Sequence, residues 1–203
     1  MLKLYYSPGA CSLSPHIALR EAGLTFDLEK VNTKEKKTET GDDYLKINPK
    51  GYVPALKLDD GYVLTEGPAI VQYIADQRPK ANLAPEIGSP ERYRLQEWLN
   101  FISTEIHKQF SPLFNPATPE DYKTIAKENL AKRFKYVDEK LGGSDYLTGS
   151  HFTVADGYLF TIANWANFVK FDLSPYPNLK AFQARVAARP KVQDALKAEG
   201  LLK

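Results

Sequence analysis

Hydrophobic positions change their period once along the chain, and the change divides it in two. Leu2-Lys3-Leu4-Tyr5-Tyr6 is a short β-rich run that stops at the turn signal Ser7-Pro8-Gly9. Ser14-Pro15 then opens a segment with Ile17, Leu19 and Ala22 before Gly23, which predicts a helix with proline near its start and glycine past its end. Alternation returns at Phe26, Leu28 and Val31. After a Lys-rich stretch a third run, Val53 to Leu58, meets Tyr62 to Leu64 across Asp59-Asp60-Gly61, which predicts a hairpin. Thr65-Glu66-Gly67-Pro68 starts a helix with Ala69, Ile70, Tyr73 and Ile74 on one face. The first part therefore spells β-α-β followed by β-β-α.

From Arg78-Pro79 to Pro90 the periodicity is lost and Pro, Asn and Gly recur, as in a linker between domains. Beyond it the period is helical. Ser89-Pro90-Glu91 supplies an N-cap, a first-turn proline and an acid; Leu95, Trp98, Leu99, Ile102, Ile106 and Phe110 follow at helical spacing until Ser111-Pro112, which is expected to end the helix. Apolar periodicity recurs over 120–141, 153–169 and 178–188, and Thr153-Val154-Ala155-Asp156 reads as a capping box with Asp in place of Glu or Gln. The fold class that follows is an α/β N-terminal domain at residues 1–80 and an all-α C-terminal domain at 88–203.

With 27 Lys and Arg against 25 Asp and Glu in 203 residues, the net charge of +2 gives no electrostatic reason to expect nucleic acid or an anionic membrane as partner. The most apolar stretch, Tyr158 to Val169, is interrupted by Asn164 and Asn167 and is shorter than the ~20 residues a membrane span needs. Cys11 is the one cysteine, so no disulfide forms within the chain. No secretory n-region and h-region precede Lys3, Ser7 and Pro8, and the expected location is cytoplasmic.

Cys11 sits between the first strand and the first helix, where unpaired backbone N–H groups and the helix dipole favour a thiolate over the free pKa of about 8.5. Ser14 occupies the position where a dithiol redox site carries its second cysteine, so any mixed disulfide at Cys11 awaits an outside thiol. Val53-Pro54 heads the third strand, and an X-Pro bond there is open to the cis form. A cis bond would turn the Val53 backbone outward to pair with a peptide-like ligand. Glu66-Gly67, at a helix start, offers a carboxylate for an ammonium group and free N–H groups for a carboxylate. Asn100, Thr104 and His107 fall within about 60° of one another at about 100° per residue, a polar strip beside the apolar face. For each of these a plain structural role competes: a buried small thiol, an edge-strand proline, a first-turn acid, a solvated helix face.

In this order the residues resemble the cytosolic glutathione S-transferases over the whole chain. Ser7-Pro-Gly-Ala-Cys-Ser-Leu-Ser-Pro-His16, Asn48-Pro-Lys-Gly-Tyr-Val-Pro-Ala55, Leu64-Thr-Glu-Gly-Pro-Ala-Ile70 and Trp98-Leu-Asn-Phe-Ile-Ser-Thr-Glu-Ile-His-Lys108 are similar to the bacterial beta class. The resemblance implies a thioredoxin-like N-terminal domain that holds glutathione as co-substrate, a helical domain that completes the site for a small electrophile, a homodimer and no metal. It implies Cys11 and His107 beside the glutathione sulfur, with Tyr6 as a further catalytic candidate because other classes use a tyrosine near the end of the first strand. Val53 would pair with the cysteinyl backbone, Glu66 and Gly67 with the γ-glutamyl head and Lys36 with the glycyl carboxylate. Asn100, Thr104, Glu105 and Ile106 would complete the site. Many transferases have Ser where Gly67 stands, which leaves only backbone N–H groups here. The expected activity is conjugation of glutathione to small, mostly apolar electrophiles, with dehalogenation and peroxide reduction as outcomes of the same thiolate. The alternative is a glutaredoxin-like thiol–disulfide oxidoreductase working through a Cys11–glutathione mixed disulfide, and a non-catalytic binder of apolar ligands is the third class.

Overall fold

A computed structural model describes residues 1–202. The chain forms two compact units, one of Met1–Ala84 together with the stretch from Ala188 onward, the other of Pro85–Ala187.

The first unit is built on β1 (Leu2–Tyr6), α1 (Leu13–Glu21), β2 (Phe26–Asn32), β3 (Lys37–Thr38), the single turn α2 (Tyr44–Ile47), β4 (Ala55–Lys57), β5 (Val63–Thr65) and α3 (Gly67–Gln77). The strands lie in the order β3-β2-β1-β4-β5; β1 and β2 are parallel and every other neighbouring pair is antiparallel. Because β1 is central, its alternating side chains are buried on both faces. Tyr5 joins Val31, Tyr44, Val53 and Ala55 in one cluster. Its ring is tilted 5.7 Å from that of Tyr44, whose hydroxyl donates to Tyr52 O at 3.0 Å. Leu2, Leu4 and Tyr6 point the other way and are buried as well. The β4–β5 hairpin forms as the pattern predicts, with Leu56 opposite Leu64.

The second unit is helical throughout: α4 (Pro90–Phe101), a π-helical segment Ile102–His107, α5 (Lys108–Phe114), α6 (Glu120–Leu141), α7 (Val154–Ala163), α8 (Trp165–Phe168) and α9 (Pro177–Ala187). Ser89 caps α4 by accepting the Arg92 N–H at 3.1 Å. All ten residues of α7 are buried, which makes it the central helix of this unit. Ser111-Pro112 does not end the helix: Pro112 lies inside α5, which runs on to Phe114. A proline so close to a helix end forfeits one backbone bond and displaces one carbonyl, and the chain turns away two residues later.

The closing helix α10 (Pro190–Ala198) packs on α1, so the segment from Ala188 onward belongs to the first unit and not to the helical domain expected at 88–203. Arg189 grips Glu21 through Nε and one terminal nitrogen at 2.7 and 2.9 Å, a bidentate pair across 168 positions of sequence. Among the described residues no helix is long and apolar enough to cross a membrane.

Two titratable groups of the helical unit, the buried Asp156 and the partly buried His107, pull its stability in opposite directions with pH. The capping box at Thr153 forms: the Thr153 N–H and hydroxyl donate to Asp156 Oδ2 at 2.7 and 2.8 Å, and the Leu147 N–H donates to Oδ1 at 2.9 Å. Burial nevertheless pushes the Asp156 carboxyl up to about 6, against the pull of these bonds. His107, enclosed beside Tyr158 and Trp165, is pushed down to about 4 by burial and, less, by the neighbouring Lys108 charge.

Raised in the folded state, the Asp156 contribution is present below pH 3.8 and lost as pH rises through 6; depressed, the His107 contribution is present above pH 6.5 and lost as pH falls through 4. Each is worth about 3 kcal/mol, and the two offset one another over nearly the same window. Melting temperatures measured from pH 4 to 7 are therefore expected to separate. Relative to wild type, Asp156→Asn gains about 5–10 °C across the range and His107→Gln loses as much, and parallel curves for all three proteins would refute both assignments.

Candidate functional site

Strand register brings three segments of the first unit to one end of the sheet. Tyr5 pairs with Ala55 and Ala55 with Thr65, both antiparallel, so the chain leaving β1, the chain entering β4 and the chain leaving β5 meet at the same edge. Those segments carry Cys11, Val53-Pro54 and Glu66-Gly67.

The Cys11 loop is closed internally. Ser12 Oγ accepts the Ser7 N–H at 3.1 Å and donates to Ser7 O at 3.2 Å. Cys11 Sγ lies 3.3 Å from Val53 O and donates to it, and the Val53–Pro54 bond is cis. The sequence predicts a thiolate at Cys11, and the structure overturns that. Burial pushes the thiol up to about 12, with Glu66 adding to the rise, and the Cys11 and Ser12 N–H groups only partly oppose it. Cys11 keeps some exposed surface, but its sulfur is enclosed, and at neutral pH it is a protonated hydrogen-bond donor. The Ser14 hydroxyl, where a resolving thiol would stand, is buried without a hydrogen-bond partner.

Glu66 precedes α3 with φ +68°, a left-handed conformation costly for a side chain other than Gly, while its carbonyl accepts the Ala69 and Ile70 N–H groups at 3.0 Å. The kink leaves its carboxylate exposed, where Lys50 Nζ and the Tyr52 hydroxyl both donate to Oε1, the latter at 3.0 Å. The Lys50 ammonium also reaches Thr65 Oγ1 at 2.9 Å. Lys50 and Tyr52 have no assigned role in the sequence reading although they lie inside the Asn48 to Ala55 stretch. Spacing within a loop does not reveal which side chains turn toward a partner 14 or 16 positions away. At Gly67 an added Cβ would meet nothing within 4 Å. Lys36, itself at φ +57°, donates through Nζ to Gly51 O at 2.6 Å, so its ammonium is held beside the same loop. Tyr6 is buried at the end of β1 with its ring tilted 6.2 Å from that of His16, and burial raises its pKa.

The other predicted residues belong to the helical unit. The π-helical turn over Ile102–His107 adds a residue to each turn, so a wheel drawn at about 100° per residue does not hold through it. The Thr104 hydroxyl donates back to Asn100 O at 3.0 Å, and both residues are exposed. Glu105 is paired with Arg133 at 2.6 Å, and Ile106 is fully buried in the core. His107 Nδ1 shares a hydrogen bond of 2.7 Å with the Tyr158 hydroxyl, and its ring stands edge-on to Trp165 at 4.8 Å. At neutral pH it is a neutral imidazole.

Residues 9–77 match the glutathione S-transferase N-terminal domain and residues 101–190 the glutathione S-transferase C-terminal domain. The chain is 52% identical over 200 residues to glutathione S-transferase GstA of Escherichia coli O157:H7, covering 98% of this chain and 100% of that protein. The solved beta class glutathione S-transferase of Sphingomonas chungbukensis superposes with a TM-score of 0.96 at 52% identity, covering 98% and 100% of the two chains. A sphingomonad glutathione S-transferase solved in complex with glutathione gives 0.95 at 51% identity, covering 98% and 99%. With that identity over nearly the full length of each, the chain belongs to the glutathione S-transferase family and is an enzyme of that kind.

Proposed function

We propose that this transferase holds reduced glutathione at the sheet edge formed by the Cys11 loop, Val53 and Glu66-Gly67, and conjugates it to small, mostly apolar electrophiles as part of detoxification in the cytoplasm. The observation that carries the reading is the convergence of a protonated thiol, a strand-edge backbone and a carboxylate beside the Gly67 N–H at a helix start, one for each part of the tripeptide. The γ-glutamyl ammonium takes a place on Glu66 alongside Lys50 and Tyr52, its carboxylate takes the Gly67 N–H, and the Lys36 ammonium takes the glycyl carboxylate. Asn100, Thr104, Glu105 and Ile106 are proposed to contribute through the segment that carries His107.

Chemistry then follows from hydrogen bonding to sulfur. When glutathione binds, the Cys11 S–H turns from Val53 O to glutathione sulfur, where a donor stabilises S⁻ over SH and raises the reactive fraction at neutral pH, and the neutral His107 supplies a second polar group to the same reaction. No step requires charge on Cys11. Disulfide exchange would require the Cys11 thiolate, which is scarce when the thiol is pushed up to about 12, so conjugation is the reading retained over the oxidoreductase one. The working form is proposed to be a homodimer. Trp98, Phe101 and Tyr136 form an aromatic cluster with centroids 5.3 to 5.9 Å apart, and Tyr136 is 41% exposed, which suits a surface that a second copy covers.

Two predictions test the assignment. In pH–rate profiles of conjugation, Cys11→Ala is expected to raise the apparent pKa of bound glutathione by about one unit or more, the worth of a hydrogen bond to an ion, while Cys11→Ser holds it near the wild-type value. An unmoved profile in Cys11→Ala would remove the thiol from the mechanism. In steady-state assays, Glu66→Ala is expected to raise KM for glutathione about tenfold with kcat little changed. Gly67→Ser, for which the structure has room, is expected to lower KM by adding a hydroxyl donor to the carboxylate site. A KM unaffected by either change would move the γ-glutamyl head elsewhere.

A further inference from the structure

The loop that carries Cys11 is tied to the C-terminal end of the chain through groups that the proposed chemistry does not use. Ser7-Pro8-Gly9-Ala10 is a β-turn: the Ala10 N–H donates to Ser7 O at 3.0 Å, and Gly9 follows Pro8 with φ +71°, the type II pattern. In such a turn the N–H of the third residue is not used by the turn itself and needs an acceptor from outside. Glu199 Oε2 accepts it at 3.0 Å. The second oxygen, Oε1, lies 2.8 Å from His16 Nδ1, with both side chains fully buried.

The direction of that bond is settled by a third residue. Arg20 Nε donates to His16 Nε2 at 3.2 Å. A guanidinium N–H only donates, so Nε2 is the unprotonated nitrogen; the ring proton sits on Nδ1 and is donated to Glu199. The carboxylate therefore receives one N–H from α1 and one from the Cys11 loop, in a place where an unfilled acceptor or donor would be costly. On its other side the loop is closed by Ser12. The far end of α10 is attached to α1 separately, by Arg189 and Glu21.

We infer that Glu199 is a positioning residue for glutathione transfer: its carboxylate fixes the Gly9 amide, and through the two-residue span to Cys11 it holds the thiol at Val53 O. The consequence for catalysis rests on the part proposed for Cys11; the consequence for the loop does not. Glu199→Gln keeps the length of the side chain but leaves one accepting oxygen for two donors, so its NH₂ faces either Gly9 N–H or His16 Nδ1–H. Arg189→Gln cuts the other attachment of α10 and leaves the bonds of the loop in place.

Two readouts are taken on each variant: the rate at which iodoacetamide alkylates Cys11 without glutathione, followed by mass spectrometry, and kcat and KM for glutathione with a dinitrohalobenzene, normalised to folded protein. Glu199→Gln is expected to alkylate about tenfold faster and to lose about tenfold in kcat, within the roughly 10²-fold that a misplacement of about 1 Å can cost. Arg189→Gln is expected to lower the melting temperature while both rates stay within about twofold of wild type. Alkylation unchanged in Glu199→Gln, or raised equally in Arg189→Gln, overturns the inference. Faster alkylation with unchanged conjugation upholds the positioning and overturns the part proposed for Cys11. Should Glu199→Gln not fold, amide exchange in the wild type decides: protection of Gly9 N–H comparable to the amides of α1 supports the inference, and exchange at the rate of an unprotected amide overturns it.

Discussion

Because β1 and β2 run parallel, the chain between them cannot return by a hairpin; it must cross back over the sheet, and α1 is that crossing. The loop from β1 into α1 is thereby fixed at the carboxyl end of the central strand. The antiparallel pairings of β4 with β1 and β5 with β4 then carry Val53 and Glu66 to the same edge. The site is a consequence of strand direction before any side chain is considered, and the side chains at the three junctions decide what chemistry the edge performs.

Electrostatics at this edge favour neutral donors over reactive ions. Two N–H groups pull the Cys11 thiol toward ionisation, but enclosure and the Glu66 charge outweigh them. Fixed charges are found at the ends of the proposed ligand, where Glu66, Lys50 and Lys36 stand with their hydrogen bonds already made. Such a division suits a reaction in which the ionised sulfur belongs to the co-substrate: charged groups bind the tripeptide, and neutral donors stabilise S⁻ without competing for the electrophile.

Most of the fold was legible because period is a local property. The strand at Leu2 to Tyr6, the Asp59-Asp60-Gly61 hairpin, the Ser89 cap and the Thr153 box each depend on residues within a few positions of one another. Pro112 was misread because a proline breaks a helix only where its missing bond and its ring matter, which is less near a helix end. The polar strip at Asn100, Thr104 and His107 was drawn on a regular helix, and the π-helical turn that displaces it has no signature in composition. Placement next to a helix start argues for a lowered Cys11 pKa; the opposing desolvation is a property of the packed structure. Lys50 and Tyr52 lay within view but unassigned, whereas Glu199 sits 190 positions from Gly9, beyond any reading of local pattern.

That distance has a packing cause. Every residue of α1 from Leu13 to Leu19 is buried, the polar Ser14 and His16 included, so the helix needs cover on more sides than the sheet and α3 supply. The remaining side is closed by α10, the last helix of the chain. A buried imidazole in α1 then needs a buried acceptor, and the segment following α10 brings one in Glu199. Once its carboxylate is committed there, its second oxygen faces the Gly9 amide. The loop that bears Cys11 is thus completed by the final turn of the chain because the helix behind that loop could not be buried without it.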